Sequence, residues 1–108
     1  MAYPSAVVFI ETPTFTKRVL QLMEDEQYSA LQSHLARRPD AGDLIRSSGG
    51  MRKLRWAGSG RGKRGGLRVI YYWWVASDRI SMLLVYPKNE QDDLRADQVK
   101  QLRKALEP

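Results

Sequence analysis

Two apolar runs, LRVIYYWWV from Leu67 to Val75 and ISMLLVY from Ile80 to Tyr86, are separated only by the four residues ASDR. Both are rich in β-branched and aromatic residues, so both read as strands. A parallel pair needs a crossover of about a dozen residues or more, whereas four residues allow only a hairpin. A third run, MRKLRWA from Met51 to Ala57, precedes Leu67 across a glycine-rich link that is again too short for a helical crossover. The economical topology for these three strands is an antiparallel meander.

The flanks supply the rest of the domain. SAVVFIE, Ser5 to Glu11, reads as a further strand and is broken by Thr12 to Thr14. Phe15, Val19, Leu22 and Met23 follow at helical spacing, and after Asp25 so do Tyr28, Leu31 and Leu35. Pro39 stops this pair of helices. Asp92 or Asp93 caps a last helix whose apolar stripe is Val99, Leu102 and Leu106. The expected fold is α+β, a central, mainly antiparallel four-stranded sheet with two N-terminal helices and one C-terminal helix covering one face. A chain of 108 residues suits one domain with one core, residues 1–108. The N-terminal stretch has neither a charged start nor a long apolar run, and no segment approaches membrane-spanning length. With no cysteine there are neither disulfides nor thiol ligands and the redox compartment is unconstrained, so the cytoplasm is the default expectation.

Charge is distributed unevenly. The chain carries a net +6, and between Leu44 and Ser77 there are eight basic residues and no acidic one: Arg46, Arg52, Lys53, Arg55, Arg61, Lys63, Arg64 and Arg68. The remainder is slightly acidic. A cationic segment with that asymmetry fits a polyanionic partner, most often nucleic acid, against the alternative of a solvated basic face. Strand alternation points Lys53 and Arg55 to one side, opposite to Leu54 and Trp56.

GSGRGKRGG, Gly58 to Gly66, contains G-x-G-x-x-G at Gly60, Gly62 and Gly65. The dinucleotide fingerprint needs a strand before it and a helix after it, and here a strand follows. The P-loop pattern fails as well, because Arg64 stands at the Ser/Thr position and Ala57 at the first glycine. No nucleotide cofactor is expected. As a hairpin loop, the segment lets Arg61, Lys63 and Arg64 approach a phosphate backbone beside Lys53, Arg55 and Arg68.

Conventional nuclease equipment is missing. His34 is the single histidine and sits on a helix beside Leu31 and Leu35, so no two-histidine acid/base pair exists. Glu90, Asp92 and Asp93 read as helix-start acids rather than metal ligands. What remains is a cationic route to RNA cleavage, in which the 2′-hydroxyl attacks the adjacent phosphorus. Guanidinium groups then stabilise the charge that builds on the phosphate oxygens. Lysine, unlike arginine, can exchange a proton when like charges crowd it.

The motifs GGMRKLR, GRGKRGGLRVIYY and YPKNEQDDL, at these spacings, resemble the RelE superfamily of toxins, and its HigB-type branch in particular. The resemblance runs from the first strand to the final helix. It implies a ribosome-dependent, metal-independent endoribonuclease that cuts messenger RNA in the ribosomal A site, the toxin half of a type II toxin–antitoxin pair. It also implies a small α+β domain with no cofactor. Carried over residue by residue, it makes Lys53 and Arg55 the basic strand pair, Arg68 the contact to the scissile phosphate, and Lys88 a basic position after the last strand. Asn89 occupies a position where the best-studied branch has arginine, and Arg95 is nearest to that branch's tyrosine. The RNA-binding set then comprises Arg52, Arg61, Lys63, Arg64, Tyr72 and Asn89, with Tyr71 and Tyr72 as base-stacking candidates. Expected partners are the ribosome, mRNA and a HigA-like helix-turn-helix antitoxin, with operator DNA contacted only through the antitoxin complex. A non-catalytic RNA- or ribosome-binding module is the alternative. A DNA-binding repressor acting alone is disfavoured because no recognition helix carries the basic residues.

Overall fold

A computed structural model of the chain describes residues 7–57 and 66–107. The elements run β1 (Val8–Glu11), α1 (Pro13–Leu22), α2 (Asp25–Arg37), β2 (Asp43–Leu44), β3 (Arg52–Trp56), β4 (Leu67–Trp74), a 3₁₀ turn (Val75–Ser77), β5 (Arg79–Pro87) and α3 (Ala96–Lys104). They form one five-stranded sheet in the order β1-β5-β4-β3-β2. β2 to β5 pair antiparallel in sequence order, and β1 returns parallel to β5 at the far edge.

Local chemistry explains where the elements begin. The Thr12 hydroxyl accepts the Phe15 amide at 3.0 Å and donates to the Leu83 carbonyl at 2.9 Å, so a single side chain caps α1 and ties it to β5. Pro13 opens the helix, where its missing N–H leaves nothing unsatisfied. The tight link before β3 is closed by Ser48, which donates to the Ile45 carbonyl at 2.7 Å and accepts the Met51 amide at 3.0 Å.

Both faces of the sheet are covered. On one face α1 and α2 deliver Phe15, Val19, Leu31 and Leu35 onto Leu54, Val69, Tyr71, Ile80, Met82 and Val85. On the other, Val99, Leu102 and Leu106 of α3 pack over Met51, Ile70, Leu83 and Tyr86. A bulge makes the second face possible. The β4–β5 register steps from Ile70↔Leu84 to Tyr71↔Met82, so consecutive Leu83 and Leu84 both join the α3 side.

Three expectations need correcting. The sheet has five strands rather than four, because Asp43–Leu44 adds a two-residue edge that shows no alternation in sequence. The helices are not confined to one face. The last helix starts at Ala96, where the Gln98 carboxamide accepts the Arg95 amide at 2.9 Å, so neither Asp92 nor Asp93 caps it. Within the described residues, the first strand covers Val8 to Glu11 of the expected Ser5 to Glu11.

Candidate functional site

The register of β3 against β4 sets Arg55 directly opposite Arg68, and the register of β4 against β5 sets Arg68 opposite Tyr86. Directly opposed residues share a face, so these three side chains form a row across three strands. Two residues along β3, Lys53 stands between Asp43 of β2 and Ile70 of β4. Lys53, Arg55 and Arg68 therefore gather on the α3 side of the sheet.

Their environments differ. Arg68 is 6 % exposed and its Nη1 donates to the Leu67 carbonyl at 3.3 Å. Arg55 is exposed to solvent. The Lys53 side chain is 19 % exposed, and its Nζ donates to Asp93 Oδ1 at 2.5 Å. That bond and the Lys53 charge, then Arg55 and Arg68, hold the Asp93 carboxyl below its ordinary range. Burial pushes the Tyr86 phenol up, the Asp93 carboxylate adds to this, and Arg68 opposes it. Asp93 thus senses all three cations, while Tyr86 senses Arg68.

Beside this row, β2, β3 and the segment Asp93–Leu94 enclose a cavity of about 390 Å³ lined in part by Lys53 and Arg55. Lys88 and Asn89 lie in the exposed turn after β5. The Lys88 amide donates to the Gly66 carbonyl at 3.1 Å, which fixes this turn at the Arg68 end of β4. Glu90 in the same turn binds Arg18 of α1 at 2.7 Å.

Two expected members stand apart. Arg52 points to the opposite face and donates to the Gly42 carbonyl at 2.8 Å and the Asp40 carbonyl at 3.3 Å. Tyr72 packs among the residues under α3 and meets Trp74 edge-on at 4.8 Å, away from the cation row. Tyr71 is fully buried between Gly42 and Pro39, which excludes base stacking. Arg61, Lys63 and Arg64 lie outside the described residues. His34 sits half-buried with its ring 5.6 Å from that of Trp56, on the face covered by α1 and α2. Among the described residues, no three His, Asp or Glu side chains converge as metal ligands.

Sequence reasoning missed Asp93, Tyr86 and Asp43 as site members. An Asp-Asp pair shortly before a helix looks like a cap, and Tyr86 looks like core until register is known. Asp43 carries no local signal beyond its charge.

Among the described residues, three α-helices set against a five-stranded, mostly antiparallel sheet define a small α+β domain. The fold is similar to that of the E. coli toxin RelE, solved in the free state as a double arginine-to-alanine mutant. The TM-score is 0.57 at 14 % identity, over 98 % of each chain. No protein-family model matches the sequence. Among the described residues, no helix is long and apolar enough to cross a membrane.

Proposed function

We propose that this protein is the toxin component of a type II toxin–antitoxin system and acts in the cytoplasm as a ribosome-dependent, metal-independent mRNA endoribonuclease of the HigB type. The observation that carries this reading is the Arg55–Arg68 opposition with Lys53 beside it. A phosphodiester laid over that row meets two guanidinium groups and an ammonium at once.

In this mechanism Arg68 grips the scissile phosphate, and its burial fixes the guanidinium so that little reorganisation accompanies the reaction. The RNA 2′-oxygen forms a bond to phosphorus while the bond to the 5′-oxygen breaks, leaving a cyclic phosphate and a 5′-hydroxyl. Arg55 neutralises charge on the non-bridging oxygens. Lys53 handles the proton that passes between the attacking and departing oxygens, and Lys88 holds the backbone at the Arg68 end of the row. Arg61, Lys63, Arg64 and Asn89 extend the grip to neighbouring phosphates. A HigA-like helix-turn-helix antitoxin neutralises the protein and carries the complex to operator DNA.

The test is primer extension on translated mRNA after expression in cells. Wild type produces discrete new 5′ ends inside codons. Arg68→Lys keeps the charge in its buried place but loses the bidentate fork, and these ends and the growth arrest fade. Growth arrest by Arg68→Lys equal to wild type, with the same cleavage, would remove Arg68 from the mechanism.

One observation favours the alternative of a non-catalytic RNA- or ribosome-binding module: the Asp93 carboxylate occupies the Lys53 ammonium. Under that reading RNA binds and translation stalls, yet no new 5′ ends form.

A further inference from the structure

Arg18 and Glu90 are 72 positions apart in the chain, and Arg18 Nη2 donates to Glu90 Oε1 at 2.7 Å. Their side chains are 31 % and 49 % exposed, and an ion pair that open to solvent adds little to stability. Arg18 Nε is shielded from water with no hydrogen-bond partner among the described residues, which is itself a penalty. The pair is poorly suited to holding the fold together. It is well placed to hold one turn. The base of Arg18 is immobile: α1 buries Phe15 and Val19 on either side of it, and the Thr12 hydroxyl ties that helix to the Leu83 carbonyl at 2.9 Å. Glu90 ends the exposed turn that carries Lys88 and Asn89. The Lys88 amide donates to the Gly66 carbonyl at 3.1 Å, and the Glu90 amide donates to the Pro87 carbonyl at 3.0 Å. Among the described residues, the bond to Arg18 is the one side-chain bond that Lys88, Asn89 or Glu90 makes.

We propose that Arg18 is a positioning residue for RNA binding: it holds Glu90, and through Glu90 the turn that presents Lys88 and Asn89 to the RNA backbone. The inference rests on the RNA-cleaving reading for the role of Lys88. A contact to phosphate works at full strength only when its donor is already in place, because ordering a loop on binding subtracts from affinity. A side-chain tether from a rigid helix removes that subtraction beforehand. The pair has an electrostatic side as well. Glu90 is two residues from Lys88, and a bare carboxylate there opposes an approaching phosphate. Paired with Arg18, that charge is neutralised. The two effects are separable, because removing both charges together keeps the electrostatic balance and loses the tether.

Arg18→Met and the double variant Arg18→Met/Glu90→Gln are compared with wild type by ¹⁵N relaxation of the full chain and by cleavage on programmed ribosomes. The double variant has the net charge of wild type but no ion pair. Both variants keep the wild-type urea unfolding midpoint and lose amide order at Lys88, Asn89 and Glu90. In both, KM for programmed ribosomes rises on the order of tenfold, the scale of one charge-assisted hydrogen bond, while kcat stays within about twofold. Should Arg18→Met fail to fold, Glu90→Gln alone, at an exposed position, gives the same loss of order and the same rise in KM. Unchanged amide order in the turn overturns the proposal. So does a wild-type KM in the double variant, which would leave only the charge of Glu90 to account for Arg18→Met. No cleavage by wild type itself, with order lost in the variants, removes the nuclease and leaves the tether. Cleavage by wild type with neither order nor KM changed in the variants removes the tether and leaves the nuclease.

Discussion

Lys53 and Asp93, forty positions apart in the chain, meet at 2.5 Å across the mouth of the cation row. In the proposed reaction a phosphodiester must reach the ammonium that this carboxylate holds, so Asp93 acts as an internal competitor of the RNA backbone. Replacing it with a neutral isostere releases one cation for the ligand.

Asp93→Asn is accordingly expected to bind a non-cleavable 2′-O-methyl oligonucleotide more tightly than wild type. Its log–log salt slope should steepen by roughly 0.7, the increment of one added phosphate contact on a single strand. Fluorescence anisotropy over a range of salt concentrations reads both quantities. Identical slopes would show that Lys53 does not meet the backbone.

The same contact has an acid signature. The folded-state pKa of Asp93 lies below the ordinary 3.8. A depressed carboxyl contributes stability above its unfolded pKa and loses it as pH falls through the folded value. Thermal unfolding from about pH 5 down to about pH 2 should show wild type losing more stability than Asp93→Asn over that range. Parallel curves would mean the pair does not persist in solution.

Arg52 and Arg55 share a strand and a charge but not a face. Arg55→Ala should lower mRNA cleavage on programmed ribosomes by about a hundredfold, the scale of one lost transition-state donor. Arg52→Ala should leave cleavage within a few-fold and instead lower stability by about 1 kcal/mol through its lost bonds to the Asp40 and Gly42 carbonyls. Urea unfolding run beside the cleavage assay separates the two effects.

Gly42 positions β2 against the site. Its amide donates to the Tyr71 hydroxyl at 2.8 Å, and that hydroxyl donates to the Pro39 carbonyl at 2.8 Å. Tyr71→Phe leaves both backbone groups unsatisfied and should cost about 1 to 3 kcal/mol in urea unfolding. A Cβ at position 42 would lie 2.9 Å from Tyr71 Cε1 and 3.0 Å from the Lys53 carbonyl oxygen. Gly42→Ala should therefore destabilise by a similar amount and shift the amide resonances of Asp43 and Lys53.

Much of the sheet and the cation row is legible in the sequence. The alternation of β3 separates Lys53 and Arg55 from Leu54 and Trp56, and the short β4–β5 link compels a hairpin. Hydrophobic periodicity also finds all three helices, because burying one stripe is a local demand on spacing. The two-residue β2 escapes, since a pair of residues has no period.

What the chain alone determined is the inventory: which side chains alternate, which stretches must be strands or helices, and that the excess positive charge falls between Leu44 and Ser77. Tertiary structure decided which of those groups meet. Register across three strands set Arg55 against Arg68 and Tyr86, and the Leu83–Leu84 bulge gave α3 its own face of the sheet. It also brought Asp93 to Lys53 rather than to a helix start. The physical reason is range. Side-chain direction follows from the residue's own backbone, whereas partnership across strands depends on loop closure and packing between residues tens of positions apart.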